Sequence, residues 1–447
     1  MKVGFVSLGC SKNLVDTEML IGLFKKNSNE IVNEPKNAEI IVINTCGFIE
    51  SAKQEAIDTI LEMSKYKNHK CKYLIVMGCL IERYKDELIK EIPEVDLFIK
   101  YSEYSTIWDQ IKNLIDKEKN NSRTKSYEEK SQLDFMEREI TTGKNFAYLR
   151  IAEGCSNKCT YCAIPYIRGP FISRKFEDII EEAKQLVESG IKELIVIAQD
   201  TTKYGIDIYG KPRLSELLQE LCKLNNLEWI RFLYAYPETI TDELIKTVKE
   251  NDKICKYFDI PIQHISDNIL KRMNRKSNSK SIRNVIEKIR KEIPNVILRT
   301  TVIVGFPGET QKDFEELYNF IQEVKFDRLG AFKYSKEEGT PAEKLPDQIH
   351  HITKKSRYNK IMSIQQIISM QKQESYIGKK YKILVESKTF DEKWYLGRSY
   401  MDVPEIDGII YLKSNEVNTN NLEGKFVDCK IVEVNGYDLI AEIENYK

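Results

Sequence analysis

The chain has 447 residues, 41% hydrophobic and 31% charged, the balance of a folded protein of two to four domains and not of a disordered or fibrous one. Lys+Arg and Asp+Glu both number 69, so no net charge draws the whole molecule to nucleic acid or to an anionic membrane. No apolar run reaches the length of a membrane span, and ten cysteines in this length are too few for a disulfide scaffold.

The first ten residues superficially resemble a lipoprotein signal ending at Cys10, but the apolar stretch is short, and Lys12 and Asp16 follow at once. They read as the first strand of a cytoplasmic protein. Up to residue 118, apolar runs at 3–8, 40–43, 74–77 and 97–99 alternate with helical patterns at 14–24, 52–63, 84–92 and 107–115. Such alternation predicts a doubly wound parallel sheet, whose ligands bind at the carboxyl ends of the strands. Cys10, Cys46 and Cys79 each follow a predicted strand, so the topology gathers them on one sheet edge, each beside a glycine. Three unrelated buried cysteines are the plain alternative. Three equivalent positions favour a shared metal cluster with an open corner. Cys71 begins a strand and is left out.

Residues 119–140 are polar and charged and read as a linker. Then comes Gly154-Cys155-Ser156-Asn157-Lys158-Cys159-Thr160-Tyr161-Cys162, three cysteines spaced C-x3-C-x2-C. Cys159 and Cys162 alone would suit a dithiol or half a zinc site. A dithiol leaves Cys155 without a role, and the next cysteine is as far away as Cys222. Three thiolates on a [4Fe–4S] cluster leave one iron open for chemistry. This spacing, with an aromatic before the last Cys, resembles the radical S-adenosylmethionine (SAM) superfamily, in which SAM chelates the open iron.

From 141 to about 372, six strand–helix units recur, with strands expected at 146–151, 194–198, 230–235, 258–262, 297–304 and 329–333. They predict an open, partial (β/α)6 TIM-like barrel with function on the loops after the strands. Gln199, Asp200, Gln263, His264 and Glu309 fall at those strand ends. Arg168 and Arg174 follow the cysteine loop and suit a carboxylate of SAM or substrate, or a surface ion pair. By the resemblance, SAM contacts are expected from Tyr161, Gln199, Ile303 and Gly305, with no catalytic side chain beyond the cluster ligands.

Residues 373–447 turn all-β, with five predicted strands and an Asn435-Gly436 hairpin signal, which fits a small barrel. This stretch holds 10 Lys+Arg and 14 Asp+Glu, a net of 10 − 14 = −4. That balance argues against RNA binding and for a basic protein partner.

A domain with three dispersed cysteines, a radical SAM core and a TRAM-like barrel together resemble the methylthiotransferase family over nearly the whole chain. Ser7-Leu8-Gly9-Cys10-Ser11-Lys12-Asn13-Leu14-Val15-Asp16, Asn44-Thr45-Cys46-Gly47-Phe48-Ile49 and Leu233-Tyr234-Ala235-Tyr236-Pro237 match one branch. So do Pro261-Ile262-Gln263-His264, Phe332-Lys333-Tyr334-Ser335 and Asp402-Val403-Pro404-Glu405-Ile406-Asp407-Gly408. Ser11 departs from the proline expected there. That branch methylthiolates the β-carbon of an aspartate in the twelfth small-subunit ribosomal protein; the other acts on a tRNA adenosine. The resemblance implies two [4Fe–4S] clusters, one on Cys155, Cys159 and Cys162 that cleaves SAM to a 5′-deoxyadenosyl radical. The other, on Cys10, Cys46 and Cys79, carries sulfur that a second SAM methylates. A basic ribosomal protein, an electron donor and a sulfur donor are the implied partners. A tRNA methylthiotransferase, a non-catalytic Fe–S scaffold and a structural zinc protein remain as alternatives at this point.

Overall fold

A computed structural model describes residues 1–117, 137–143, 145–391, 393–413 and 421–446. The N-terminal unit is a five-stranded parallel sheet in the order Glu30–Ile31, Lys2–Ser7, Ile40–Thr45, Tyr73–Gly78, Leu97–Ile99. Its two central strands are buried on both faces, which is why they read as unbroken apolar runs. Ile41, Ile43, Leu74 and Val76 pack on one face against Ala56, Ile60 and Leu80. Ile40, Val42, Ile75 and Met77 pack on the other against Leu20, Phe24 and Ile111. The chain reverses its direction of winding between Lys2–Ser7 and Ile40–Thr45, which makes that gap the topological switch point. The linker expected at 119–140 lies outside the described residues up to 136.

The central unit has the six expected strands in two parallel three-stranded ladders. Phe146–Arg150, Glu193–Ile197 and Trp229–Phe232 form one; Tyr257–Asp259, Ile297–Val304 and Arg328–Lys333 form the other. Single bridges such as Ile230 to Ile254 join the curve at the seam. Two strands stop three residues short of their expected ends, at Phe232 and Asp259. Beyond them the backbone is left-handed at Tyr234 (φ 62°) and Gln263 (φ 68°), which no extended strand allows. Leu149, Leu194, Val196 and Leu298 face outward onto the helices, while Tyr148, Ile195 and Ile197 face the lumen.

The C-terminal strands close a five-stranded barrel in the order Lys380–Lys388, Trp394–Arg398, Ile410–Lys413, Asp438–Tyr446, Phe426–Asn435. Asn435 pairs with Asp438, so the two turn residues are Gly436 and Tyr437, one later than the sequence suggested; Gly436 takes the positive φ (63°) that a tight hairpin demands. A loop of this barrel plugs the floor of the central one. Arg231 donates to the Tyr400 carbonyl at 2.8 Å, Arg328 to Asp402 at 2.8 Å, and the Tyr257 hydroxyl to Asp407 at 2.7 Å. Glu193 sits between Arg231 (2.8 Å) and Arg398 (2.9 Å) with all three buried. Among the described residues, no helix is long and apolar enough to cross a membrane.

Candidate active site

The first triad assembles at the switch point. Cys10 caps the helix Ser11–Lys26, and Cys79 opens the helix Cys79–Glu91, so both residues sit at helix N-termini. A Cβ on Gly9 (φ 90°) would lie 2.7 Å from Cys46 Cβ, and one on Gly78 (φ 105°) would lie 2.5 Å from the Thr45 carbonyl and overlap Asn44 Oδ1. The three loops are therefore in contact, and only glycine permits it. The Asn13 side chain ties them together. Its Nδ2 donates to the Leu8 and Thr45 carbonyls, each at 3.0 Å, and its Oδ1 lies 3.5 Å from Cys79 Sγ. Burial pushes the Cys79 thiol up to about 12; Arg168 opposes this, and Cys10 and Cys46 add to it. Burial also raises Cys46, with Cys10 adding. Three thiols that feel one another need a cationic group among them before they ionise together, which is the chemistry of an iron–sulfur ligand set.

The second triad lies on the loop closed by the antiparallel pair Ala152–Glu153 and Ile172–Ser173, beyond the first central strand. The Cys155 N–H donates to Gly169 O and the Cys162 N–H to Cys159 O, both at 3.1 Å. Outside contacts pin the loop: Thr160 N–H to Met273 O (3.1 Å), Ala342 N–H to Thr160 O (2.9 Å) and Asn274 Nδ2 to Lys158 O (2.9 Å). Burial pushes Cys162 up to about 12, with Cys159 and Cys155 adding, and raises Cys155. Among the described residues, no group of three or more His, Cys, Asp or Glu converges closely enough to grip a single metal ion.

Arg168 joins the two triads. It is neither a surface ion pair nor a free carboxylate receptor. It is buried, donates to Asn13 Oδ1 at 2.6 Å and Asp16 Oδ2 at 2.9 Å in the N-terminal unit, and to Glu153 Oε2 at 3.1 Å in its own. Arg150 repeats the pattern, pairing with Asp16 (2.5 Å) and Glu153 (2.9 Å). Burial alone would raise the Glu153 carboxyl, but Arg168 and Arg150 hold it down at about 2. Arg174 is spent on Glu182 and the Arg150 carbonyl.

The expected SAM contacts fall into two groups. Tyr161 and Ile303 share an apolar cluster with Phe306 and Tyr334, and Gly305 opens the adjoining turn. Gln199 donates to Glu153 Oε1 at 2.7 Å and leaves its own buried Oε1 unpartnered. Two strand-end residues prove structural. His264 is fully buried, with Nδ1 accepting the Ser266 N–H at 3.0 Å. The Glu309 carboxylate accepts the Gly305 and Phe306 N–H groups and faces Arg357 at 3.1 Å. Sequence reasoning missed Arg275. Its guanidinium lies 4.3 Å over the Tyr236 ring and feels Tyr161 and Cys159, and its Nε and Nη1 are buried without partners. It missed Asn13 and Asp16 as well. The available signal was a run of polar residues straight after Cys10, on a helix whose later turns are apolar.

The chain matches three family models: the Radical SAM superfamily at 149–321, Uncharacterized protein family UPF0004 at 2–100, and the TRAM domain at 377–443. It is 64% identical over 443 residues to the ribosomal protein uS12 methylthiotransferase RimO of Alkaliphilus oremlandii, covering 99% of both chains. It is 51% identical to the protein of the same name from Acetivibrio thermocellus, covering 99% of this chain and 98% of that one. Among solved structures it resembles TsrM from Kitasatospora setae, a radical S-adenosylmethionine methyltransferase with cobalamin and a [4Fe-4S] cluster bound. That match has a TM-score of 0.56 at 12% identity and covers 76% of each chain, a likeness of fold.

Proposed function

This chain belongs to the RimO family of ribosomal protein uS12 methylthiotransferases, and from that premise we infer that it methylthiolates the β-carbon of an aspartate in uS12. SAM and two [4Fe–4S] clusters would be the cofactors of this reaction, one cluster for the radical chemistry and one for sulfur. The relatives named above are uS12 methylthiotransferases, which favours the ribosomal protein over tRNA as the target. The observation that carries the mechanism is the link from the cysteine loop of the central unit to the first triad, in which buried Arg168 reaches Asn13 and Asn13 reaches Cys79.

We assign Cys155, Cys159 and Cys162 to one [4Fe–4S] cluster and Cys10, Cys46 and Cys79 to the other. When bound, the two clusters and SAM supply the one-electron cleavage, the hydrogen abstraction and the methylated sulfur. The chain itself binds, orients and excludes water. Arg275, whose Nε and Nη1 are unpartnered beside the second triad while Nη2 faces Glu238 and the Pro261 carbonyl, suits the carboxylate of SAM. Tyr161, Ile303 and Gly305 offer an apolar wall and an open turn for its adenosine, and Gln199 offers a buried acceptor. The Asp16–Arg168–Glu153 bridge fixes the distance between the triads, since a radical reaction tolerates little misplacement. The plugged floor keeps solvent from the lumen.

The proposed division is 1–118 for the first cluster domain, 119–140 for the linker, 141–372 for the radical SAM core and 373–447 for the TRAM-like barrel. The acidic balance of the last suits a basic ribosomal protein better than RNA. A cytoplasmic setting, with a reductant and a sulfur donor, completes the reading.

The test is anaerobically reconstituted protein with SAM, reductant and uS12, read by mass spectrometry beside nucleoside analysis of tRNA. The expected result is a methylthio mass gain on uS12 alone. Cys159→Ala should abolish SAM cleavage, and Cys46→Ala should spare cleavage but stop sulfur transfer. Modified tRNA with unmodified uS12 would overturn the assignment.

A further inference from the structure

Lys12 is a buried cation without an anion. It is 6% exposed, and its Nζ lies 3.1 Å from the centre of the Tyr234 ring. Among the described residues it has no hydrogen-bond acceptor and no ion pair. The carboxylate nearest in sequence, Asp16, is taken by Arg150 and Arg168, and Asp259, which accepts the Tyr234 N–H, pairs with Arg299. A ring face attracts an ammonium, but it does not replace the lost hydration of a full charge, and buried charges are ordinarily paired.

Its position gives the missing anion a place. Lys12 comes two residues after Cys10 and one before Asn13, the residue that ties the first triad together. Tyr234 stands just past the third central strand, at the mouth of the barrel. Its left-handed backbone is held by its N–H to Asp259 Oδ2 at 3.1 Å and by the Thr201 N–H to its carbonyl at 3.2 Å. A bulky residue kept in that conformation marks a place where side-chain aim outweighs backbone comfort. Here the aim sets an aromatic floor under the ammonium, between the first triad and the barrel mouth.

We propose that Lys12 is the counter-ion of the target aspartate: its ammonium takes the side-chain carboxylate and so fixes the adjoining β-carbon for reaction. This rests on the reading that an aspartate of uS12 is the target. The carboxylate is one bond from the β-carbon, so gripping it places the reacting C–H as well as selecting the residue. An adenosine offers no such group, so the same lysine makes the site selective for an acidic residue. The other carboxylate in the reaction is that of SAM, for which Arg275 stands ready at the second triad.

The test uses the two-cluster protein under anaerobic conditions, with uS12 and with uS12 carrying asparagine at the target position. Iron content, SAM affinity and uS12 affinity are measured for the unaltered chain, Lys12→Met and Lys12→Arg. The unaltered chain should prefer aspartate over asparagine. Lys12→Met should keep its iron and its SAM affinity, weaken binding of aspartate-bearing uS12 by about thirtyfold or more, and leave the asparagine form unchanged. Lys12→Arg should recover part of the loss. Equal binding of both uS12 forms by Lys12→Met and by the unaltered chain would overturn the role. So would a loss confined to SAM, which reassigns the carboxylate, or a loss of iron, which makes Lys12 a support of the first triad. If the unaltered chain neither binds nor modifies uS12, the target reading itself falls, and the proposal with it.

Discussion

Arg168 Nη2 donates to Asn13 Oδ1 at 2.6 Å, and that oxygen is 3.5 Å from Cys79 Sγ. One side-chain amide thus stands between a guanidinium from the barrel's cysteine loop and a sulfur of the N-terminal sheet. The two cysteine sites are therefore a single construction, and damage to the joint should register on both sides.

Arg168→Met should destabilise the chain by about 3–5 kcal/mol, because it leaves buried Asp16 and half-buried Glu153 with less compensation. Arg168→Lys should recover part, since one ammonium cannot serve three acceptors with a planar fork. Urea unfolding of the three proteins checks the order. Equal stability of Arg168→Met and the unaltered chain would refute the joint.

Gly78→Ala should cost the N-terminal site its cluster. The added methyl would strike Asn44 Oδ1 and the Thr45 carbonyl at a backbone angle of φ 105° that alanine resists. Iron should fall from about eight to about four per chain, with SAM cleavage retained at the other triad. Full iron loading in this variant would contradict the packing described.

His264 sets an acid limit on stability. Burial holds its imidazole at about 3, against an ordinary 6.5. The unfolded chain therefore binds the proton first, and stability falls as pH drops below 6.5, by about 2 kcal/mol at pH 5. His264→Gln should be less stable at neutral pH yet lose this part of the slope. Unfolding free energies at pH 7 and pH 5 measure it, and identical slopes would exclude His264 as the source.

Arg398→Met should loosen the C-terminal barrel from the core. It strips Glu193 of one of its two buried cations and frees the Asp402 carbonyl. A loss of about 3–5 kcal/mol is expected, with limited proteolysis releasing a fragment near residue 373. An unchanged digestion pattern would show that the two units are held by other means.

Much of this was legible in the residues. Strand–helix alternation placed Cys10, Cys46 and Cys79 on one edge, and the C-x3-C-x2-C loop was plain. The two-residue strand Glu30–Ile31 is too short to leave a period. The helix expected from residue 84 begins at Cys79, because a kink at Tyr84 (φ −132°) interrupts its pattern. Lys12, Asn13 and Asp16 were invisible as site residues for a physical reason. Periodicity weighs apolar side chains, so polar ones in a first helical turn read as surface, and only the tertiary fold shows them buried. Arg275 was hidden likewise, more than a hundred residues from the cysteines it borders.

The loop Tyr400–Asp407 changes what the C-terminal barrel is for. Arg328, at the floor of the central barrel, finds its carboxylates in Asp402 and Asp407, while Arg231 pairs with Glu193 of the central unit and donates to the Tyr400 carbonyl. Cutting the protein before that segment would leave Arg328 without its carboxylates and Arg231 without one of its acceptors, at an opened floor. The C-terminal barrel and the central one are in this sense one inheritance, and neither can be exchanged for a foreign counterpart unless the cork travels with it.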